Sequence, residues 1–306
     1  MSDRISVIIR TKGDAERAAL LPRAVNSVLT QQDVSVELIV VLNGTQYDAD
    51  LLAWLRNDER IRCAVLDGPS LAKASETGRA LLTSDYFTFL DDDDEFLPGS
   101  LAMRVRYLNE NPQIDCVVTN AEYTSQGRIR PIIDDVEKCS RDLVGALLAG
   151  QNWMASCAGT FRASTVTDEY FERFPTGCEW TLLAFRVAST LNVSLLSDVT
   201  CRLYATRGSE SAGGEKYMRG AVDAMLEIAR WNRDPKRVPS INRAIAKKCH
   251  DLSSFYRLNG DFRQAWALHW SSVANGYGLK YLPYSLVLAT RSRKKVSKIL
   301  SLSKPA

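Results

Sequence analysis

No stretch of this sequence is apolar for the roughly 18 residues that a bilayer-spanning helix needs, so no transmembrane helix is expected. The N-terminus runs from Met1 through Ser-Asp-Arg into a short strand. It lacks the apolar core of a signal peptide, and the expected location is the cytoplasm. No CxxC pair is present. The seven cysteines, at 63, 116, 139, 157, 178, 201 and 249, are odd in number and widely spaced. That spacing excludes a disulfide framework or a clustered zinc site and suits a reducing compartment. An excess of one charge is also missing, with 39 Lys and Arg against 36 Asp and Glu for a net of +3. Six of the cations (Arg291, Arg293, Lys294, Lys295, Lys298 and Lys304) lie in the last sixteen residues, which hold no acid. Setting those six aside takes the net from +3 to −3, so the rest of the chain offers no basic stripe and no nucleic-acid partner is expected. Nor does a glycine-rich loop open a helix near the N-terminus. Thr11-Lys12-Gly13-Asp14 is too poor in glycine to cradle phosphates, which argues against a nucleotidyl transferase of the phosphate-loop type.

What is present alternates between two periods. Ile5–Ile9 and Val36–Leu42 are apolar runs rich in β-branched residues, and between them Leu21, Val25, Val28 and Leu29 recur at helical spacing. Asn43-Gly44 supplies turn chemistry. Ile61–Leu66 reads as a strand, Leu71–Leu82 as a helix and Tyr86–Leu90 as a further strand. This alternation predicts a mostly parallel α/β sheet flanked by helices, whose ligands sit beyond the carboxyl ends of the strands. Further on, the pattern predicts a helix over Leu101–Asn109 and a strand over Asp115–Asn120. After a long irregular stretch come a helix over Glu179–Leu191 and two short strands, Val193–Leu196 and Val199–Tyr204. Ser209–Glu215 is the best domain boundary, and beyond it the chain reads as helical over Met218–Asn232, Ile241–Leu258 and Phe262–Ala274. Trp231, Trp266 and Trp270 are assigned to the core of that helical region.

The densest chemistry is Asp91-Asp92-Asp93-Asp94-Glu95, which directly follows the aromatic strand Tyr86–Leu90. Five consecutive acids repel one another unless a cation or a helix N-terminus offsets them. A solvated acidic loop is one reading. Placement at the carboxyl end of a buried-type strand favours another, a site for a hard divalent cation and a diphosphate, because such cations take carboxylate and phosphate oxygens.

Taken in order, Ile5-Ser-Val-Ile-Ile9, then Leu21-Pro-Arg-Ala-Val25 with Ser27-Val28-Leu29, then Glu37-Leu-Ile-Val-Val41 resemble the opening of family 2 glycosyltransferases of the GT-A fold. Phe89-Leu-Asp-Asp-Asp-Asp-Glu-Phe-Leu-Pro98 is similar to that family's DXD segment, and Thr176-Gly-Cys-Glu-Trp-Thr-Leu-Leu183 resembles its acidic-aromatic element. The resemblance implies a GT-A domain over residues 1–210, followed by a helical C-terminal region with a basic tail over 216–306. It further implies an inverting transfer of a sugar from a nucleoside-diphosphate donor, foremost a UDP-sugar, to a hydroxyl of a glycan or lipid-linked acceptor. Such transfers serve bacterial surface polysaccharide or glycolipid synthesis. Mg2+ or Mn2+ would be held by Asp91 and Asp93, with Asp92 and Asp94 as register alternatives. Glu179 would be the general base, although an acid at the first turn of a helix also fits a structural role beside the macrodipole. Trp180, beside it, is either a platform for the acceptor sugar or core.

On the nucleotide side the resemblance points to Thr11, Asn43 and Lys73. Here the chain departs from the family: no aromatic follows Thr11, Asn43 stands where an Asp is usual, and Ser75-Glu76 replaces an Arg-Asn pair, with Lys73 as stand-in cation. The usual histidine after the last strands is missing, since the only two are His250 and His269. A catalytically inactive GT-A domain serving as a binding partner is therefore the alternative function. Over residues 282–306 an apolar-basic pattern suits the inner face of an anionic membrane, and equally a terminal helix packed on the domain. The helical segment 216–280 is the candidate for self-association.

Overall fold

The structure, a computed structural model, describes residues 3–206, 214–275 and 277–290. The chain divides into two compact units: Met1–Phe174 with Glu179–Ser209, and Pro175–Cys178 with Glu210–Ala306.

The first unit opens with β1 (Arg4–Thr11), α1 (Ala15–Leu29), β2 (Ser35–Leu42), α2 (Ala49–Asn57), β3 (Ile61–Val65), α3 (Leu71–Ala80) and β4 (Tyr86–Asp91). β1, β2 and β4 are covered on both faces, which is why their sequences are continuous apolar runs rather than alternating ones. Ile5, Ile8, Ile9, Leu38, Ile39, Phe87 and Phe89 are fully buried, each side chain contributing roughly 2 kcal/mol of transfer free energy. The polar exception in the middle of β2 is Glu37. Its carboxylate accepts hydrogen bonds from Ser6 Oγ (2.5 Å), Arg62 Nη1 (2.7 Å) and Thr83 N (3.0 Å), fastening β2 to β1 and to the turn before β4.

The helix α2 is absent from the sequence-based expectation. It is nine residues long, capped by the Asp48 carboxylate on Leu51 N, and buries only Leu51 and Leu55. So short a stripe carries little periodicity, and the cap was the legible signal.

The remainder of this unit contributes β5 (Glu95–Phe96), α4 (Ser100–Glu110), β6 (Cys116–Ser125), β7 (Arg128–Pro131), α5 (Val136–Arg141), α6 (Leu143–Leu148), β8 (Gly159–Arg162), α7 (Glu179–Thr190) and β9 (Val193–Tyr204). The nine strands form one mixed sheet in the order β3-β2-β1-β4-β8-β6-β9-β5, with β7 beside β6. The first four are parallel, whereas β8 runs antiparallel to both β4 and β6. The two strands expected over 193–204 are a single strand. Its pairing with β6 jumps from Thr119↔Leu196 to Asn120↔Val199, so Ser197 and Asp198 bulge out where the sequence suggested a break.

Strand order reverses beside β1: the chain leaves it through α1 to β2 on one side and returns to β4 on the other. Register aligns Thr11 with Leu42 and Arg10 with Asp91, which brings the carboxyl ends of β1, β2 and β4 together at the crevice such sheets open.

In the second unit α9 (Val238–Leu258) packs against both α8 (Glu215–Trp231) and α10 (Phe262–Ala274), and α11 (Tyr284–Ala289) lies on α10. Both histidines are structural here. His269 is buried and bonds Ser285 Oγ through Nε2 at 2.7 Å, and His250 stacks on Tyr281 with ring centroids 4.1 Å apart. Trp270 is not core, contrary to the expectation from sequence; it is 52% exposed. Leu279, Leu282, Leu286 and Val287 are exposed with it, while Leu288 is buried. The basic tail 291–306 and the segment 207–213 lie outside the described residues.

Candidate active site

The acidic run is a turn whose every carboxylate has a partner. Asp94 N donates to Asp91 O at 3.1 Å, which folds the chain back so that β5 can pair with β9. From α1, Arg17 Nη1 reaches Asp92 Oδ1 at 2.9 Å and Asp93 Oδ2 at 2.8 Å. Asp93 also accepts from Thr206 Oγ1, and its backbone carbonyl from Arg23, whose guanidinium lies over the Tyr204 ring. Asp94 accepts from Tyr204 N at 3.1 Å, while Glu95 accepts from Arg202 Nη1 at 3.0 Å and from Tyr204 Oη at 2.7 Å.

Burial divides these acids. Asp92 and Asp94 are nearly inaccessible. Desolvation pushes the Asp92 carboxyl up to about 6, against the pull of Arg17 and the Thr11 hydroxyl. Asp94 is pushed well above the usual carboxylate range by burial together with repulsion from Asp91 and Asp93. Asp91 differs. Burial raises its carboxyl too, against the pull of Arg10 and Ser156, but at the tip of β4 it keeps 39% of its side chain exposed, with Arg10 Nη2 3.6 Å away.

The β1–α1 turn accounts for the departure after Thr11. Gly13 has φ +67°, and a Cβ there would meet Leu42 Cδ2 at 2.6 Å, so the position accepts no larger residue without strain. Gly13 N donates to Thr11 Oγ1 at 3.0 Å and the Thr11 hydroxyl donates to Asp92, so this hydroxyl is committed to the turn itself. Asn43, at the end of β2, donates its N–H to Thr11 O (2.7 Å) and accepts Ser70 N on Oδ1 (2.6 Å). That backbone donor fixes which amide atom is the oxygen. Lys73 is exposed on the first turn of α3, where its N–H donates to Ser70 Oγ.

Glu179 begins α7 and is only 8% exposed. Trp180 follows it, its ring centroid 5.3 Å from that of Phe89 in an edge-on contact. Between these groups and the acidic turn lies a side chain that motif reasoning passed over, Arg10. Its Nη1 donates to Ser75 Oγ at 2.9 Å, and its Nη2 lies 3.6 Å from Asp91 Oδ1 and 4.0 Å from Glu179 Oε1. A guanidinium from β1 therefore stands at Ser75, one of the two positions where the chain departs from the family's Arg-Asn pair. The legible signal was an arginine closing an otherwise apolar buried strand, because a buried guanidinium must find partners.

Among the described residues no three His, Cys, Asp or Glu side chains converge as a metal cage. One half-open carboxylate of hard oxygens, Asp91, with Asp93 across the turn, fits a cation that takes one or two protein ligands and draws the others from a bound diphosphate.

Known proteins resemble this chain in sequence and in fold. The family model described as glycosyl transferase family 2 matches residues 6–171, more than half of the chain. A GalNAc(5)-diNAcBac-PP-undecaprenol beta-1,3-glucosyltransferase of Campylobacter jejuni is 30% identical over 113 residues, 35% of each chain. The chain spans between 13% and 35% of the length of the curated relatives it matches. Among solved structures, Staphylococcus aureus TarS 1-349 in complex with UDP-GlcNAc superposes with a TM-score of 0.57 at 14% identity, covering 89% of this chain and 91% of that one. The mannosyltransferase PcManGT of Pyrobaculum calidifontis, in complex with GDP-Man and Mn2+, gives 0.56 at 17% identity over 98% and 81%. At these identities the likeness establishes the shared fold.

Proposed function

Because the chain belongs to glycosyl transferase family 2, we propose that it moves a sugar from a nucleoside-diphosphate donor to an acceptor hydroxyl by a single inverting displacement. The observation that carries this reading is the convergence at one crevice of an open carboxylate, Asp91, and a carboxylate at a helix start, Glu179, on a shared guanidinium. Glu179 takes the proton from the acceptor hydroxyl as its oxygen attacks the anomeric carbon, and the helix N-terminus favours its ionised form. Trp180 flanks the acceptor. Thr11 and Asn43 shape the wall at the ends of β1 and β2 where the nucleoside sits, with Lys73 exposed on the first turn of α3. Asp91 and Asp93 would hold a divalent cation, Mg2+ or Mn2+. When bound, that cation supplies positive charge against the charge growing on the departing diphosphate.

A UDP-sugar is the first donor to try, since TarS is recorded with UDP-GlcNAc; the GDP-Man of PcManGT is the second. The inactive-scaffold alternative predicts no nucleotide response at all. The test is a thermal-shift series with UDP and GDP, each with and without Mn2+. Binding to the folded state alone raises the melting temperature by mass action, about 2.7 kcal/mol of stabilisation at a hundredfold excess over Kd. A shift with one nucleotide that grows with Mn2+ is expected. No shift with either would transfer the chain to the scaffold reading.

We assign the acceptor to a glycan or lipid-linked acceptor reached at the cytoplasmic face of a membrane. The support is the exposed group Trp270, Leu279, Leu282 and Leu286, the last 73% exposed, followed in sequence by five cations between Arg291 and Lys298. No helix among the described residues is long and apolar enough to cross a membrane, so contact would be peripheral. Vesicles containing phosphatidylglycerol should retain the protein at low salt, and Leu282→Ser/Leu286→Ser should release it. Equal binding of that variant would remove the apolar group from the account.

A further inference from the structure

We propose that Arg10 is a positioning residue of the transfer reaction: it ties Glu179, on the acceptor side, to Asp91, on the donor side, and fixes the geometry of the base. This role rests on the transfer reading above.

Arg10 is set as a rigid element. Its side chain is 3% exposed, and Nη1 is tethered to Ser75 at 2.9 Å. The ring centroids of Phe89 and Trp180 each lie 5.2 Å from the guanidinium carbon, a cation–π arrangement that holds the plane in place. Ser75 is itself fully buried and donates to Leu71 O at 3.0 Å, so the tether is anchored in the first turn of α3. Only Nη2 is left for the two acids, at 3.6 Å and 4.0 Å. So deeply buried a cation is badly placed to meet phosphates arriving from solvent, and its electrostatic targets are the two carboxylates.

Without that charge, the two carboxylates that approach one guanidinium would be left to repel each other. Asp91 is held in register with Arg10 by the parallel pairing of β4 and β1 at the tip of the strand. Glu179 belongs to the first turn of α7, outside that strand register. Losing Arg10 therefore displaces the base while leaving the donor's own contacts in place. Lysine is a poor substitute, because an ammonium lacks the planar fork that holds Ser75 through one nitrogen and faces two acids through another while lying against the rings.

The test combines kinetics with a stability cycle on the full chain. From UDP-GlcNAc, UDP-glucose and GDP-mannose, the donor that wild type turns over is used, with water as the acceptor hydroxyl and release of nucleoside diphosphate by this hydrolysis as readout. Arg10→Gln is expected to lower kcat about 100-fold with donor KM within about threefold, and Arg10→Lys to recover only part of that loss. The double variant Arg10→Gln/Glu179→Gln is expected to be no slower than Glu179→Gln alone, since Arg10 acts through Glu179. Losses that multiply, or a donor KM that rises while kcat holds, overturn the proposal. In thermal unfolding, Arg10→Gln should melt below wild type, and adding Glu179→Gln should restore part of the difference by relieving repulsion. A further fall in melting temperature overturns the coupling itself. Wild type that turns over no nucleotide sugar while the stability coupling is present overturns the transfer reading, and the catalytic part of the role with it.

Discussion

Replacing Glu179 by glutamine is expected to lower turnover about a thousandfold, some 4 kcal/mol in barrier, while nucleotide affinity stays within a factor of two or three. Glutamine keeps the shape of the side chain and its place on the first turn of α7, yet cannot take a proton. The residue is 8% exposed and faces a guanidinium that lies against two aromatic rings, so water is poorly placed to act in its stead. A purely structural acid would behave differently. The charge of a helix-start carboxylate contributes roughly 0.3–1 kcal/mol through the macrodipole, so its loss would lower the melting temperature by a few degrees and leave turnover within severalfold. Steady-state release of nucleoside diphosphate, read beside calorimetric nucleotide binding, separates the two. A variant that turns over at a tenth of the wild-type rate or faster would return Glu179 to the helix start as a capping acid.

The contrast between Glu179 and Arg10 shows what the sequence could and could not tell. The parallel half of the sheet was legible because β1, β2 and β4 are buried on both faces and therefore spelled out as unbroken apolar runs. The acidic turn was legible because five adjacent acids repel one another and persist only where the fold or a bound cation offsets their charge. β8 was not legible. Its four residues, Gly-Thr-Phe-Arg, are held between β4 and β6 by partners that are 41 or more positions away, and no local period marks it. Arg10 escaped for a related reason. Its meaning lies in Ser75, Asp91, Glu179 and Trp180, which only the folded sheet brings within reach of one side chain. Asn43 lies between these cases. Its place at the end of β2 was read correctly from turn chemistry, but the orientation of its amide is set by Ser70 N, a group 27 residues away. Charges placed by neighbours in sequence can be found by motif; charges placed by neighbours in space need the register first.

Asp91→Asn is expected to leave the nucleotide-only thermal shift in place, to abolish the part that depends on Mn2+, and to cut turnover by at least about 100-fold. The reason lies in differences within one acidic turn. Tyr204 N holds Asp94, Arg202 with Tyr204 Oη holds Glu95, and Arg17 holds Asp92 together with one oxygen, Oδ2, of Asp93, so Asp92, Asp94 and Glu95 pack the turn on α1 and β9 while Asp93 is half committed. Asp91 alone in the run combines a side chain 39% exposed with a cationic neighbour too distant, at 3.6 Å, for a close hydrogen bond. A hard cation arriving with a diphosphate would find its first protein oxygen there. Asparagine preserves the size and one oxygen but removes the charge that attracts the ion. Glu95→Gln serves as the control, because it takes a charge from the same turn on the side bound to Arg202. It should keep the Mn2+-dependent shift and lose only stability. If Asp91→Asn retains that shift in full, the cation is held elsewhere, and the open carboxylate at the tip of β4 serves Arg10 alone.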